Sequence, residues 1–228
     1  VLKEARKRGV RVLTWDPDAE PDARDFTVVP AAAEGIAQAL AYEVGRTLGG
    51  HAEVAIITST LNAPNQSAWL AQLRKRLASD FPDIEIVGVH TCRDLEERAY
   101  REAEGLLESR PALGAIVGLC APAVPGAARA LKGARRRGVH LTGLSLPETC
   151  RDDLEAGWVD SVVTWSARDL GYLAAWCAAS LVPGGDLAQG AFVLKAGRLG
   201  NVMVSGDEVR LGRPHIVTLG NLETFLRD

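Results

Sequence analysis

The stretch that decides the fold is LKGARRRGVHLTGLS, residues 131–145, in which a helical segment passes through a glycine into an apolar strand. A second stretch, LKEARKRGVRVLTWD at residues 2–16, has the same order. In both, the Leu and Ala positions face a sheet and the Arg and Lys positions face water. We predict that Gly9 and Gly138 let the chain leave each helix in a left-handed conformation. The similarity of the two stretches indicates either two similar α/β lobes or a helix-to-strand connection of a kind common in α/β proteins.

Outward from this unit, short β-branched runs alternate with Ala, Leu and Arg stretches of helical period. This is the pattern of parallel sheets covered by helices, so the predicted class is α/β. The predicted strands are residues 10–15, 53–58, 84–90, 115–120, 139–145 and 161–165. The predicted helices are residues 31–48, 66–79, 94–109, 122–137, 147–156 and 167–181.

The predicted domain organisation rests on the similarity between residues 2–16 and 131–145 and on the glycine-rich sequence with short strands that begins after Pro183. Residues 1–30 are interpreted as a remnant of a first lobe, and residues 31–162 as a second α/β lobe. Residues 163–228 are expected to return to the first lobe with a helix and a glycine-rich β-hairpin tail. Because the chain opens with Val1 in what reads as the last turns of a helix, the first lobe is expected to be incomplete.

Composition and charge exclude several classes of protein. The 228 residues are 47% apolar and 24% charged, which is ordinary for a globular chain. The formal charge of −3 supplies no basic face for nucleic acid. No apolar run approaches the roughly 20 residues that span a bilayer, and no secretory signal is present, so no membrane insertion is expected. The four cysteines lack a C-x-x-C pair, which argues against zinc and leaves free thiols and disulfides both open.

No constellation of residues predicts catalysis. The segment GLSLP at 143–147 lacks the second glycine of a nucleophile elbow, and no phosphate-binding glycine loop follows a strand. The four histidines show no metal or triad spacing. The acidic stretch at residues 16–25 fails as a calcium loop and is interpreted as a solvated loop. We therefore expect no enzyme activity, no catalytic residue, no cofactor and no metal.

Candidate binding residues lie directly after the predicted strands, where open parallel sheets bind ligands. They offer a carboxylate, amides and indoles, which suit the hydroxyl groups and C–H face of a neutral polyol. The set comprises Trp15, Asp16, Asn65, Gln66, Trp165 and Ser166. Core packing of the tryptophans and helix capping by Asn65 and Gln66 are the competing interpretations.

Four motifs in this order carry a resemblance to a known family: W-D at 15–16, N-Q-x-x-W at 65–69, P-x-L-x-A-I-V at 111–117 and W-x-x-x-D-L-G-Y at 165–172. The chain resembles the type I periplasmic sugar-binding proteins of ABC transporters, which are ribose-binding-protein-like. Within them it is most similar to the branch that binds rhamnose or autoinducer-2. The resemblance implies two Rossmann-like lobes that close on a sugar in the cleft between them.

By its position in the family motif, the resemblance implies that Asp16 is the carboxylate that binds the ligand hydroxyls, with Trp15 beside it. Asn65 and Gln66 fall where autoinducer-2 binders carry Asp-Gln, so the carboxylate there has become an amide. This departure favours a rhamnose-like sugar over autoinducer-2.

Four further positions are carried over in the same way. Leu119 and Ala121 fall on backbone or apolar contacts of the family, and Trp165 and Ser166 on the last crossover near the ligand.

The resemblance also implies partners and a location. A monomer would capture the sugar and deliver it to an ABC transporter permease, in the periplasm or as a membrane-anchored extracellular protein whose signal segment is not in this chain. The alternative is the effector-sensing domain of a LacI-type transcriptional regulator, because the same fold serves there.

Overall fold

A computed structural model describes residues 1–49 and 51–227, and the chain divides into two compact units. Unit 1 consists of Val1–Ala32 and Trp165–Pro214, and unit 2 of Ala33–Thr164 and His215–Asp228. The chain therefore passes from one unit to the other three times. In chain order the elements are α1 (Leu2–Lys7), β1 (Leu13–Trp15), β2 (Phe26–Ala31), α2 (Ala33–Leu48), β3 (Ala52–Thr58), α3 (Pro64–Asp80), β4 (Ile84–Thr91), α4 (Glu96–Ser109), β5 (Leu113–Gly118), α5 (Ala123–Ala134), β6 (His140–Leu144), α6 (Arg151–Glu155), β7 (Ser161–Thr164), α7 (Ala167–Ser180), β8 (Val193–Lys195), β9 (Asn201–Ser205), β10 (Glu208–Gly212), β11 (His215–Val217) and α8 (Leu222–Arg227).

Unit 1 is built on a mixed sheet in the order β1-β2-β10-β9-β8. Strand β2 pairs in parallel with β1 and β10, whereas β9 runs antiparallel to β10 and β8. Helix α7 covers this sheet, and its Leu173 and Cys177 are fully buried in a cluster with Val28, Leu194 and Val209. The core of unit 1 lies between α7 and the sheet.

Strand β2 was not predicted, because Pro30 argues against a central strand. The carbonyl of Val28 accepts from the Asp16 N–H at 3.4 Å, so Val28 faces β1. Backbone groups alternate sides along a strand, so Pro30 faces the same side. Strand β1 pairs with β2 only as far as Val28. The missing N–H of Pro30 therefore costs no hydrogen bond with β1.

Unit 2 is built on a six-stranded sheet in the order β11-β7-β6-β5-β3-β4. All of its pairings are parallel except that of β11 with β7. Helices α4 and α5 pack together over one core, while α2 packs against α3 and contacts β5, β6 and β7. Strands β3 and β5 carry the apolar runs 54–57 and 115–117, which are buried, whereas β6 is buried throughout although it includes His140 and Thr142.

The expected parallel pairings are present in both sheets, and each sheet also contains antiparallel pairings. The expectation about the tail needs correction. Residues 215–228 lie in unit 2 and not with the first lobe as predicted, because β11 pairs with β7 and Leu222 of α8 is buried in the unit 2 core. The observed boundaries at 32/33 and 164/165 each differ by two residues from the predicted ones.

The two helix exits behave differently. Gly9 is left-handed, with φ +80°, as predicted. The prediction for Gly138 is wrong, because α5 ends at Ala134 and Arg135 takes the left-handed position with φ +53°. The Arg136 N–H then donates to the Leu131 carbonyl at 3.0 Å, which closes the helix end three residues earlier than the pattern suggested.

Candidate functional site

In unit 1 the predicted residues lie at the carboxyl end of β1 and at the start of α7. The Trp15 side chain is 56% exposed, which excludes core packing for this residue, and Asp16 follows it at the strand end. Trp165 is half-buried and packs against the unit 1 core. Ser166 is the N-cap of α7, and its hydroxyl oxygen accepts from the Asp169 N–H at 3.1 Å. A capping hydroxyl retains its own proton for donation to a ligand.

A buried arginine holds the loop that follows β1. The Arg24 side chain is 5% exposed and donates to both carboxylate oxygens of Asp18, at 2.7 and 2.9 Å from Nε. Its Nη1 donates at 2.6 Å to Asp207, which lies in the turn between β9 and β10. The Thr14 hydroxyl also donates to Asp18, at 2.5 Å. Arg24 and Thr14 therefore both hold Asp18, and the Thr14–Asp18 bond joins the chain before and after Asp16.

Two carboxylates of the acidic stretch have lowered pKa values. Burial alone would raise the pKa of Asp18, but hydrogen bonds from Arg24, Thr14 and the Ala19 N–H lower it below its ordinary value. The pKa of Asp25 is also lowered, because the Val12 N–H and the Arg11 guanidinium outweigh its burial. The interpretation of residues 16–25 as a solvated loop is therefore wrong for these two side chains.

In unit 2 a short hydrogen-bonded turn joins β3 to α3. The Gln66 side-chain oxygen accepts from the Thr58 hydroxyl at 2.5 Å and from the Ser59 N–H at 2.8 Å. All three residues are buried, so Gln66 holds the end of β3. The Asn65 oxygen accepts from the Gln66 N–H at 2.8 Å. Neither residue is the N-cap of α3, because the helix begins at Pro64 after Ala63, but the Asn65 side chain does accept an N–H of the first helical turn.

The segment after β5 carries the other two predicted residues of unit 2. Leu119 is fully buried and its N–H donates to the Ile57 carbonyl at 2.8 Å, so its side chain belongs to the core. Ala121 is exposed, and its carbonyl accepts from the Ser145 hydroxyl at 2.8 Å. Ser145 follows β6, so this bond joins two neighbouring strand ends.

A pocket of about 280 Å³ lies beside Gln66 in unit 2. It is lined by residues from the end of β3 and one side of α3: Thr58, Thr60, Leu61, Gln66, Ser67, Leu70, Ala71 and Arg74. The lining combines hydroxyls, an amide and a guanidinium with small apolar side chains. Such a surface can hydrogen-bond a small polar ligand.

In unit 1 the predicted residues lie at the end of β1 and the start of α7, and in unit 2 they lie in the first turn of α3 and directly after β5. Sequence reasoning missed Arg24, Thr58 and Ser59, which position the predicted residues. The position of Thr58 and Ser59 at a strand end was an available signal, whereas nothing near Arg24 indicates Asp207 as a partner. Among residues 1–49 and 51–227, no group of three or more His, Cys, Asp or Glu side chains is arranged to hold a metal. No helix of the described chain is long and apolar enough to cross a membrane.

A family model for the periplasmic binding protein domain matches residues 1–186. The chain therefore belongs to the periplasmic binding protein family. A sugar ABC transporter protein from Actinomyces odontolyticus is 32% identical, with a TM-score of 0.82 over 98% of this chain and 73% of the other.

Two further solved structures share the fold. An ABC transporter solute-binding protein from Clostridium phytofermentas with bound L-rhamnose is 25% identical, with a TM-score of 0.88 over 99% of this chain and 75% of its own. LsrB from Clostridium saccharobutylicum, in complex with AI-2, is 21% identical, with a TM-score of 0.85 over 98% of this chain and 76% of that one. At that identity the last comparison shows the fold alone. The type I periplasmic-binding fold expected from the sequence is confirmed.

Proposed function

We propose that this protein is the sugar-binding component of an ABC transporter and performs no chemistry on its ligand. The observation that carries the proposal is the pair Trp15-Asp16, an exposed indole next to a carboxylate directly after a parallel strand. A carboxylate accepts hydrogen bonds from two sugar hydroxyls, and an indole covers the apolar face of a sugar ring. The family and the sugar-transporter relative support the same class of ligand.

The remaining contacts are assigned by their chemistry. Ser166 caps α7 with its oxygen and offers its proton to a ligand, and Trp165 extends the aromatic surface of unit 1. Asn65 supplies an amide from unit 2. Gln66 accepts from two protein donors, so its role is to hold the Thr58–Ser59 turn beside the ligand. Leu119 acts through its backbone, since its side chain is buried.

The substrate class we favour is a neutral deoxysugar such as L-rhamnose. The solute-binding protein with bound L-rhamnose is 25% identical to this chain and supports this choice. The amide at Asn65, where autoinducer-2 binders carry a carboxylate by resemblance, favours the same choice. Autoinducer-2 is the second candidate.

We further propose that ligand contacts come from both units, so that binding selects one arrangement of them. The sugar-loaded monomer, outside the cytoplasm, would then dock on a membrane permease. Stimulation of the permease ATPase in liposomes by the sugar-loaded protein tests this step. An effector-sensing domain of a LacI-type regulator would bind the sugar without stimulating any permease.

A thermal-shift screen of the full-length protein tests sugar binding. Rhamnose, ribose, other pentoses and hexoses, and autoinducer-2 are titrated, because a ligand of the native state raises the melting temperature with concentration. One sugar is expected to raise it, and Asp16→Ala is expected to abolish the rise. Asp22→Ala is the matched control, since Asp22 is an exposed carboxylate in the same loop that pairs with Lys3. No shift from any of these ligands, in a protein that melts cooperatively, contradicts the ligand assignment.

A further inference from the structure

We propose that Cys92 and Cys120 form a disulfide that links the segments after β4 and β5. The two sulfur atoms lie 3.3 Å apart, although the residues are 28 positions apart in the chain. The inference rests on this juxtaposition and is independent of sugar binding.

The backbone around both cysteines is held at one edge of the unit 2 sheet. The Cys92 N–H donates to the Thr58 carbonyl at 2.8 Å, at the end of strand β3, which lies between β4 and β5. On the other side of β3, the Leu119 N–H donates to the Ile57 carbonyl at 2.8 Å, directly before Cys120. Both segments are therefore tied to β3, which places the two thiols against each other. A disulfide needs a sulfur–sulfur distance of about 2.05 Å, so the atoms need to approach by about 1.3 Å.

The surroundings of Cys92 favour its thiolate, the form that reacts. Arg93 and Asp94 both have φ +53°, an unusual conformation for two successive non-glycine residues. The N–H groups of Asp94 and Leu95 follow Cys92 in this turn, and the Leu95 N–H donates to the Cys92 carbonyl at 3.0 Å. The hydrogen bond with Cys120 and these N–H groups lower the pKa of Cys92, while the same hydrogen bond and burial raise the pKa of Cys120. Cys92 is thus the attacking sulfur.

The reaction balances with an external disulfide such as oxidised glutathione. The Cys92 thiolate attacks one sulfur of that disulfide, whose bond breaks and releases one thiol. The Cys120 thiol then loses its proton and displaces the second glutathione, which leaves one new S–S bond in the protein. The protein loses two protons and two electrons, and the oxidant becomes two thiols. Both cysteines are buried, so the exchange occurs during folding or local opening.

The other two cysteines serve as internal controls. Cys150 is buried and its sulfur contacts the Ser145 hydroxyl at 3.4 Å. Cys177 is buried in the core of unit 1, on α7. Burial raises the pKa of Cys150 to about 11 and of Cys177 to about 12, which keeps both as thiols. We expect neither to be oxidised.

The experiment counts thiols after equilibration of the full-length protein with oxidised glutathione. The protein is denatured, alkylated and weighed, and two of the four cysteines are expected to escape alkylation. Tryptic mapping should join the peptide of residues 77–93 to that of residues 102–129, since each cysteine lies in a different tryptic peptide. Reduction should then lower the melting temperature by roughly 5–10 °C, because a loop of this length is released.

Variants separate this pair from the other thiols. Cys92→Ser and Cys120→Ala should leave every remaining cysteine open to alkylation, whereas Cys150→Ala and Cys177→Ala should still protect two. Four alkylated cysteines in the oxidised wild-type protein would overturn the proposal whether or not any variant folds. So would a linked peptide that contains Cys150 or Cys177. Loss of sugar binding would not bear on it.

Discussion

At the scale of single residues, Gln66 shows how a predicted contact can serve the site by holding its neighbours. Its side-chain oxygen accepts two hydrogen bonds from Thr58 and Ser59, which are 2% and 3% exposed. Removal of that oxygen leaves a buried hydroxyl and a buried N–H without their acceptor. Unpaired buried donors cost about 1–3 kcal/mol.

We therefore expect Gln66→Ala to lower the free energy of unfolding by about 1–3 kcal/mol in the absence of ligand. Urea unfolding followed by circular dichroism measures the change. Gln38→Ala is the control, because Gln38 is an exposed helical residue of the same type, and it should change stability little. Equal stability of wild type and Gln66→Ala would show that the two hydrogen bonds do not hold the turn.

Asp18 gives a prediction about acid stability. Its folded-state pKa is lowered, so in mild acid the unfolded chain binds more protons than the folded chain. The stability it contributes is present above the unfolded pKa and is lost as pH falls through the folded pKa. Asp18→Asn should lower the free energy of unfolding at pH 7 by about 1–2 kcal/mol, since a partly exposed ion pair is screened.

The same variant should lose less stability than wild type when the pH falls from about 5 to about 3, near the unperturbed aspartate pKa. Urea unfolding across that range measures the slope. Asp83→Asn, at an exposed carboxylate, should retain the wild-type slope. A wild-type slope in Asp18→Asn would refute the assignment of this pKa shift to the pairing with Arg24.

Trp15 and Asp16 could be predicted from local sequence, because ligands bind at the carboxyl ends of parallel strands and these two residues end an apolar run. The local sequence could not predict that Arg24 holds this loop, since one of its partners, Asp207, lies 183 positions away. Nor could it show that Leu119 is buried, because burial depends on how helices pack over the strand.

At the scale of elements, α7 begins at a residue that is also a proposed ligand contact. The Ser166 hydroxyl oxygen satisfies the Asp169 N–H, one of the donors that a helix start leaves without a partner. Ser166→Ala is expected to cost about 1 kcal/mol of unfolding free energy without ligand, and Ser166→Asp to retain most of it. Thermal and urea unfolding measure both. If Ser166→Asp is destabilised as much as Ser166→Ala, the capping role is wrong.

The elements show why some were predicted and others were not. Strands β3 and β5 contain the apolar runs 54–57 and 115–117 that burial on both faces favours, and these runs predicted them. Strand β6 is buried throughout although it carries His140 and Thr142. Strand β11 has three residues, too few to show a period, and its place is set by pairing with β7. The exit of α5 at Arg135 was missed because glycine at 138 fits the rule for helix ends better than arginine does.

At the scale of the whole molecule, the chain passes three times between the two units. Contacts between residues far apart in sequence decide to which unit each segment belongs. The similarity between residues 2–16 and 131–145 indicated two α/β units, and each stretch lies in a different unit. Residues 215–228 were assigned to the wrong unit, because β11 has three residues and α8 has six, which are too few to show a period that points to a partner. Their place follows from β11 and from Leu222 in the core.

We propose that a sugar binds through Asp16, and calorimetric titration of the full-length protein with L-rhamnose measures this binding. We predict saturable binding of one sugar per chain. Asp16→Ala should weaken it at least about tenfold, because a hydrogen bond to a charged group contributes about 1.5–3 kcal/mol. Asp22→Ala should bind as wild type does. Equal affinity in Asp16→Ala and wild type would contradict the account.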